Sequence, residues 1–385
     1  MWSPDRSAIE QSNIEAFRVW LQKRHNLPLP DYRSLHRWSV DEPRQFWGSI
    51  KDYFGVLSTG RTEPVLLGDR MPEVRWFPAK ELNYADQVLR YEGTDAAAIV
   101  GEGEPGGPAS RTVSWSEVRR QISAVAAYLQ RLGVGKGDRV AGYLPNIPEA
   151  VIAFLATASL GAVWSSCGQD YSAPAAADRI GQLEPVVLVT ADGYPYGGKL
   201  VDKRESVTSL RAALPTVRAT IVVERLGLDL GDLPDATAWA EASAGRHALT
   251  PVAVPFGHPL WVLFSSGTTG RPKGIVHSHG GVLLEHLKQM AFHLDLKRGD
   301  SYFWYTSPSW MMWNFQVAGL LVGATIVTYD GSPAFPGPER ASGGLVVIVI
   351  AVVVAMPHAI TSLPLALQMA NLLRLCLAVR LTASH

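Results

Sequence analysis

The chain has 385 residues, 47% hydrophobic and 18% charged, a balance that fits a globular protein of two or more domains and excludes a disordered polyelectrolyte. Lys plus Arg and Asp plus Glu both number 35, so no net field recruits nucleic acid or an anionic membrane, and any grip on a phosphorylated ligand has to be local. Cys167 and Cys376 have no CxxC spacing, which argues against a zinc site or a disulfide framework and fits a reducing, cytoplasmic setting.

The opening MWSPDRSAIEQSNIEAF lacks the cationic start and apolar core of a secretory signal. Residues 1–93 read as a helical, aromatic-rich region. In 12–25, Ile14, Phe17, Trp20 and Leu21 recur at helical spacing, and Lys23, Arg24 and His25 suit the negative end of the helix dipole. Ser39 and Glu42 have the S-x-x-E relation of a capping box, which predicts a second helix carrying Phe46, Trp47, Ile50, Tyr53 and Phe54 on one face. Such one-sided stripes face a core, so these aromatics are read as packing.

From about Asp95 short apolar runs alternate with helical patterns, as in βα units around a largely parallel sheet. Strands are predicted at 96–100, 139–144, 162–166, 186–190, 220–223, 260–264, 302–306 and 325–329. Helices are predicted at 114–132, 148–160, 174–183, 281–294 and 311–322. The class is α/β, in which ligands bind beyond the carboxyl ends of the strands.

After Glu339 the composition changes. Residues 341–385 contain no Asp or Glu, and Arg374 and Arg380 are their only Lys or Arg, where the chain's own average would place roughly eight charges. The aliphatic run 345–356 is shorter than the ~20 residues of a membrane span. A tail anchor and a buried strand remain alternatives; the favoured reading is that 340–385 is an aberrant, out-of-frame tail.

The strongest local signal is Ser265-Ser266-Gly267-Thr268-Thr269-Gly270-Arg271-Pro272-Lys273-Gly274, directly after the apolar run LWVLF. Its glycines permit positive φ and close approach, so successive N–H groups can converge on phosphate oxygens, while hydroxyls and cations surround the same anion. A Walker A loop is the obvious competitor, yet Lys273 lies between Pro272 and Gly274 and no Ser or Thr follows it. A plain hydroxyl-rich surface turn is the bland alternative.

FSSGTTGRPKG resembles the signature loop of the adenylate-forming superfamily, which includes acyl-CoA synthetases, luciferases and the adenylation domains of peptide synthetases. The resemblance implies an AMP-binding α/β domain, whose first part would be 94–339. It further implies that Ser265, Ser266, Gly267, Thr268, Thr269, Gly270 and Lys273 bind ATP. Trp76-Phe77-Pro78, Leu82-Asn83-Tyr84-Ala85, GKGDRV at 135–140, YLPNIPE at 143–149 and GAVWSS at 161–166 are similar to the acetyl-CoA and acetoacetyl-CoA synthetase branch, which has an extended N-terminal region. KGIVHSHGG at 273–281, SWMMWN at 309–314, Gly323-Ala324-Thr325 and YDGSP at 329–333 look most like the acetoacetate-CoA ligases. Acetoacetate, ATP with Mg2+, and CoA are then the implied substrates and cofactors; acetate or propionate activation is the alternative.

The same resemblance places His279 beside the substrate carboxylate and α-phosphate, where imidazole would stabilise developing charge; a helix-terminal histidine with only local bonds is the competing reading. Trp310, Met311, Met312 and Asn314 fit an acyl pocket of rigid indole and conformable thioether walls, with Asn314 or an indole N–H for the 3-oxo group. Residues of that kind also form ordinary core. Gly197-Gly198-Lys199 resembles a CoA-contacting segment, but Tyr196 stands where acetate-type members carry arginine, leaving Lys199 as the candidate and a solvated turn as its rival. No metal ligands are legible. The family's adenine motif, ribose-binding aspartate, hinge and C-terminal lysine-bearing domain are not found, so the expectation is an incomplete enzyme, inactive alone. A nucleotide-binding remnant and a tail-anchored protein are the readings of another class.

Overall fold

The computed structural model describes residues 5–91, 94–228, 231, 233, 235–265 and 270–337. The loop residues Ser266, Gly267, Thr268 and Thr269 and the tail 340–385 lie outside the described residues.

A seven-stranded sheet forms the centre. Its order is Ala236–Ala238, Ala219–Val223, Val187–Ala191, Arg139–Tyr143, Val163–Cys167, Pro259–Ser265 and Lys273–Ser278, all parallel except the last. Central strands such as Val187–Ala191 are buried at every position, as the unbroken apolar runs of a doubly covered parallel sheet require. A four-stranded sheet, in the order Ser301–Phe303, Thr325–Asp330, Ala97–Gly103 and Arg111–Ser114, is parallel apart from its terminal hairpin strand. The helix Pro148–Ser159 is buried on all twelve residues, which explains why PEAVIAFLATAS has no polar face. Its Phe154 ring packs against Trp261 at 5.4 Å and Trp313 at 6.1 Å in the main core.

The expected helices and strands recur with shifted ends. Helix 174–183 resolves into an α-helix Ala173–Ile180 and a 3₁₀ turn to Leu183. Helix 281–294 begins at His279 and becomes π-helical over Gln289–His293, helix 311–322 turns 3₁₀ after Val317, and strand 302–306 ends at Phe303. The Ser39 capping box does not form. Ser39 lies within the helix Tyr32–Asp41, where its hydroxyl bonds the His36 carbonyl at 2.7 Å. Pro43, at N1 or N2 of the next helix, sets the break instead. The reciprocal box is one helix earlier: Ser34 N donates to Asp31 Oδ1 at 2.8 Å and Asp31 N to Ser34 Oγ at 3.1 Å.

The N-terminal aromatics pack as expected. Phe17 stacks on Phe292 at 4.7 Å and meets Tyr53 at 5.0 Å, docking the helical lead-in on the helix that follows the hairpin. Among the described residues no helix is long and apolar enough to cross a membrane.

Candidate active site

Parallel strands of both sheets end at one edge of the molecule. There the residues just beyond the strands enclose a cavity of about 560 Å³. Asn146, Gln169, Asp170, Tyr194, Tyr305 and Asp330 are among its walls.

A ladder of small contacts holds these loops together. Ser166 Oγ donates to the Pro308 carbonyl at 2.8 Å, and Gly168 N to Ser309 Oγ at 2.6 Å. Trp313 Nε1 donates to Asn146 Oδ1 at 3.1 Å, which seats the helix Met311–Val317 against the loop after Tyr143. Gly168 has no room for a side chain: a Cβ would lie 2.2 Å from Asp170 Oδ1 and 2.5 Å from Ser307 Oγ. Gln169 is buried, and its Nε2 donates to the Ala191 carbonyl at 2.7 Å. That bond fixes the amide orientation, because the flipped form would set two acceptors face to face. Oε1 is left buried without a partner.

Burial, reinforced by Asp170 and Asp330, pushes the Tyr194 hydroxyl up to about 12. Burial and the neighbouring Tyr196, Tyr329, Asp170 and Asp330 do the same for Tyr305. Both therefore stay protonated near neutral pH. Asp330 ends its strand almost fully buried, and burial raises it to about 6 against the opposing pull of Arg225, whose Nε lies 2.9 Å from Oδ2.

The strands that flank 266–269 form a hairpin at the same edge. Ser265 ends the strand Pro259–Ser265, exposed, and pairs in antiparallel register with exposed Lys273. Gly270 takes φ +103°, a conformation that favours glycine, with open space on its Cβ side. The strand Lys273–Ser278 was not foreseen, because Gly274 and Pro272 read as loop in the sequence.

His279 is not brought to the loop. Ser278 pairs with Pro259 at the other end of the strand Pro259–Ser265, six residues or about 20 Å from Ser265 at ~3.3 Å per residue. Its ring is buried, with Nδ1 accepting from Tyr84 N at 3.2 Å. Burial, with His258 adding to it, pushes it down to about 3. His277 is half-buried, accepting from Trp261 Nε1 at 2.9 Å.

The remaining expected residues divide. Trp310 lines the cavity and is half exposed; Met311 is exposed, Met312 half-buried, and Asn314 buried outside the cavity wall with Oδ1 unpartnered. Lys199 is exposed. The amides of Gly197 and Gly198 are already engaged by the Glu104 carboxylate, at 2.9 and 2.8 Å, so they are not open to a phosphate. Glu104, Gln169, Asp330 and the tyrosines were missed as site residues. Several of these directly follow or end a parallel strand, and that position was the available signal.

Comparison with known proteins agrees with this architecture. An AMP-binding enzyme family model matches residues 86–380, and a model of the acetyl-coenzyme A synthetase N-terminus matches residues 32–88. The chain is 40% identical over 342 residues to the acetoacetyl-coenzyme A synthetase of Rhizobium meliloti (strain 1021), covering 87% of this chain and 52% of that protein. It is 35% identical over 348 residues to the acetoacetyl-CoA synthetase of Danio rerio, covering 87% and 51%. The solved acetoacetyl-CoA synthetase from Streptomyces lividans superposes with a TM-score of 0.84 at 49% identity, over 88% of this chain and 54% of that one. The chain thus spans about half the length of the curated relatives it matches. The fold is the α/β adenylate-forming fold that the signature loop implied, and the chain belongs to the AMP-binding enzyme family.

Proposed function

We propose that this chain serves the ATP-dependent activation of acetoacetate to acetoacetyl-CoA. The carboxylate attacks the α-phosphorus of ATP, pyrophosphate leaves, and the CoA thiol then displaces AMP from the acyl-adenylate. The observation that carries this reading is a cavity lined by tyrosines, Trp310 and carboxylates beside a phosphate-type hairpin at one edge of two sheets, in a fold close to that of an acetoacetyl-CoA synthetase.

In this reading Ser265, Ser266, Gly267, Thr268, Thr269, Gly270 and Lys273 hold the β- and γ-phosphates, and Mg2+ accompanies the triphosphate as its counter-ion. Among the described residues no group of three His, Cys, Asp or Glu could hold a metal ion. Trp310 walls the acyl chain, with Met311 and Met312 beside it and the Trp310 indole N–H as donor to the 3-oxo group. His279 belongs to the packing behind the sheet, not to the reacting atoms. The reaction is placed in the cytoplasm, where Cys167, buried and raised to about 12 by that burial, stays an inert thiol.

The test is acid-dependent exchange of pyrophosphate into ATP by a full-length enzyme that carries this chain, run with acetate, propionate, butyrate and acetoacetate. A rate highest with acetoacetate supports the proposal. Equal rates across the acids indicate a general short-chain synthetase, and ATP binding without exchange reduces the chain to a nucleotide-binding module.

A further inference from the structure

Glu104 lies just past the strand Ala97–Gly103 and is 3% exposed, yet among the described residues no cation forms an ion pair with its carboxylate. It accepts three backbone amides instead. Gly197 N reaches Oε2 at 2.9 Å, Gly198 N reaches Oε1 at 2.8 Å, and Ser332 N reaches Oε2 at 2.8 Å.

These donors come from two separate segments. Gly197 and Gly198, at φ +62° and +78°, turn the hairpin between Gly193–Tyr196 and Lys199–Asp202. Successive left-handed glycines aim their N–H groups into a common concavity that suits an anion. Ser332 follows Asp330, and the Asp330 carbonyl accepts from Glu104 N at 3.2 Å. Both segments are close-packed here: a Cβ on Gly198 would lie 2.7 Å from the Phe335 ring, and one on Gly331 would lie 2.9 Å from Glu104 itself.

The two segments are also walls of the cavity. The hairpin contributes Tyr194 and Tyr196, and the other contributes Asp330, Gly331 and Pro333. What enters between them is constrained by charge. Asp170 and Asp330 line the space, and Arg225 is occupied by Asp330. A phosphate or a free carboxylate there would face like charges. A neutral chain bearing N–H groups would instead find acceptors in those carboxylates. Of the three substrates in the proposed reaction, the thiol-bearing amide arm of CoA has that chemistry.

We propose that Glu104 is a positioning residue: by filling the glycine turn as a tethered anion and joining it to Ser332, it holds the two walls at the separation that admits the neutral amide-thiol arm. This rests on the reading of the chain as part of an acyl-CoA synthetase. The turn is then a clamp on the cavity wall, and its amides are not a phosphate site.

The test uses the full chain with pantetheine and ATP as separate probes, alongside hydrogen exchange and a denaturant unfolding curve. Glu104→Gln keeps the shape but replaces one accepting oxygen by a donor; Ser332→Pro deletes one amide donor and leaves the carboxylate. Each variant is expected to speed exchange at Gly197 and Gly198, to weaken pantetheine roughly tenfold, and to leave ATP affinity unchanged. Unchanged exchange in both folded variants overturns the clamp. Faster exchange with unchanged pantetheine affinity makes it merely structural and overturns the positioning role. A wild-type chain that binds ATP but no pantetheine, with the turn amides protected, instead sinks the thiol assignment of the cavity and the proposal with it.

Discussion

Arg225 and Asp330 join the two sheets across the edge of the cavity: Arg225 follows the strand Ala219–Val223, Asp330 ends Thr325–Asp330, and Nε lies 2.9 Å from Oδ2. The side chains are 12% and 2% exposed, so each charge has exchanged water for the other. Asp192 braces the same corner, its carboxylate accepting from the backbone N–H groups of Arg225, Leu226 and Leu228.

Replacing Arg225 by Met leaves Asp330 buried beside Glu104 without its counter-charge. The expected loss at pH 7.5 is about 3–5 kcal/mol, the usual penalty for half of a buried pair. Burial holds folded Asp330 near 6, above the 3.8 of the free side chain. The stability it contributes is therefore full below about pH 4 and is lost as pH rises through 6. At pH 5 the acid is mostly protonated and the Arg225→Met penalty should shrink. Urea midpoints at the two pH values measure this; equal penalties would mean that the pair is not ionised as described.

Gln169 offers a test of amide orientation. Gln169→Leu removes the Nε2 donor from the Ala191 carbonyl, at about 1–3 kcal/mol. Gln169→Glu places a second acceptor against it and is expected to cost more at pH 7.5. Chemical denaturation ranks the three proteins, and a Glu variant more stable than the Leu variant would reverse the assignment of Nε2.

The sequence made the βα alternation legible because the strands are buried and their apolar runs are unbroken. It also exposed the phosphate loop, whose glycines and hydroxyls are local chemistry. It did not reveal the wall of the cavity. Glu104 looks like one more acid in the solvated-looking stretch EGEPGG, and only tertiary contact with a turn 93 residues later, at Gly197, shows it to be buried. Family resemblance set His279 beside the reacting atoms, whereas the antiparallel strand Lys273–Ser278 carries the chain to the far end of its hairpin, where the ring is buried. Ser39 had the right local pattern, yet Pro43 decided where the helix began.

Lys273 separates the two half-reactions. If it contacts the β- and γ-phosphates, Lys273→Ala lowers acetoacetate-dependent pyrophosphate exchange by roughly 10²-fold or more, the scale of losing a charged transition-state contact. Its exposure at the start of an edge strand predicts little change in stability, within about 0.5 kcal/mol. Thioester formation from supplied acetoacetyl-adenylate should fall much less. Equal losses in both assays would remove the lysine from the phosphate role.

His279 and His286 make the last prediction, one of acid stability. Both rings are buried, and burial pushes both down to about 3, His258 adding to the effect on His279 and His277 to that on His286. Neither His279 Nε2 nor His286 Nδ1 has a hydrogen-bond partner among the described residues, so protonation would strand a cation, for His286 among Tyr84, Trp261 and Phe315 and for His279 beside the His258 ring. An unfolded histidine titrates near 6.5, so between that pH and about 3 the unfolded chain binds protons that the native one refuses. The contribution is present above pH 6.5 and is lost as pH falls, at up to about 1.4 kcal/mol per pH unit for each ring. Asp330 acts with the opposite sign over part of the range, so the diagnostic quantity is the difference between proteins. His286→Phe and His279→Asn should each flatten the fall in unfolding free energy between pH 6.5 and 5 relative to wild type. Parallel curves for wild type and both variants would show that these rings are protonated in the native state, and would reopen a chemical role for His279.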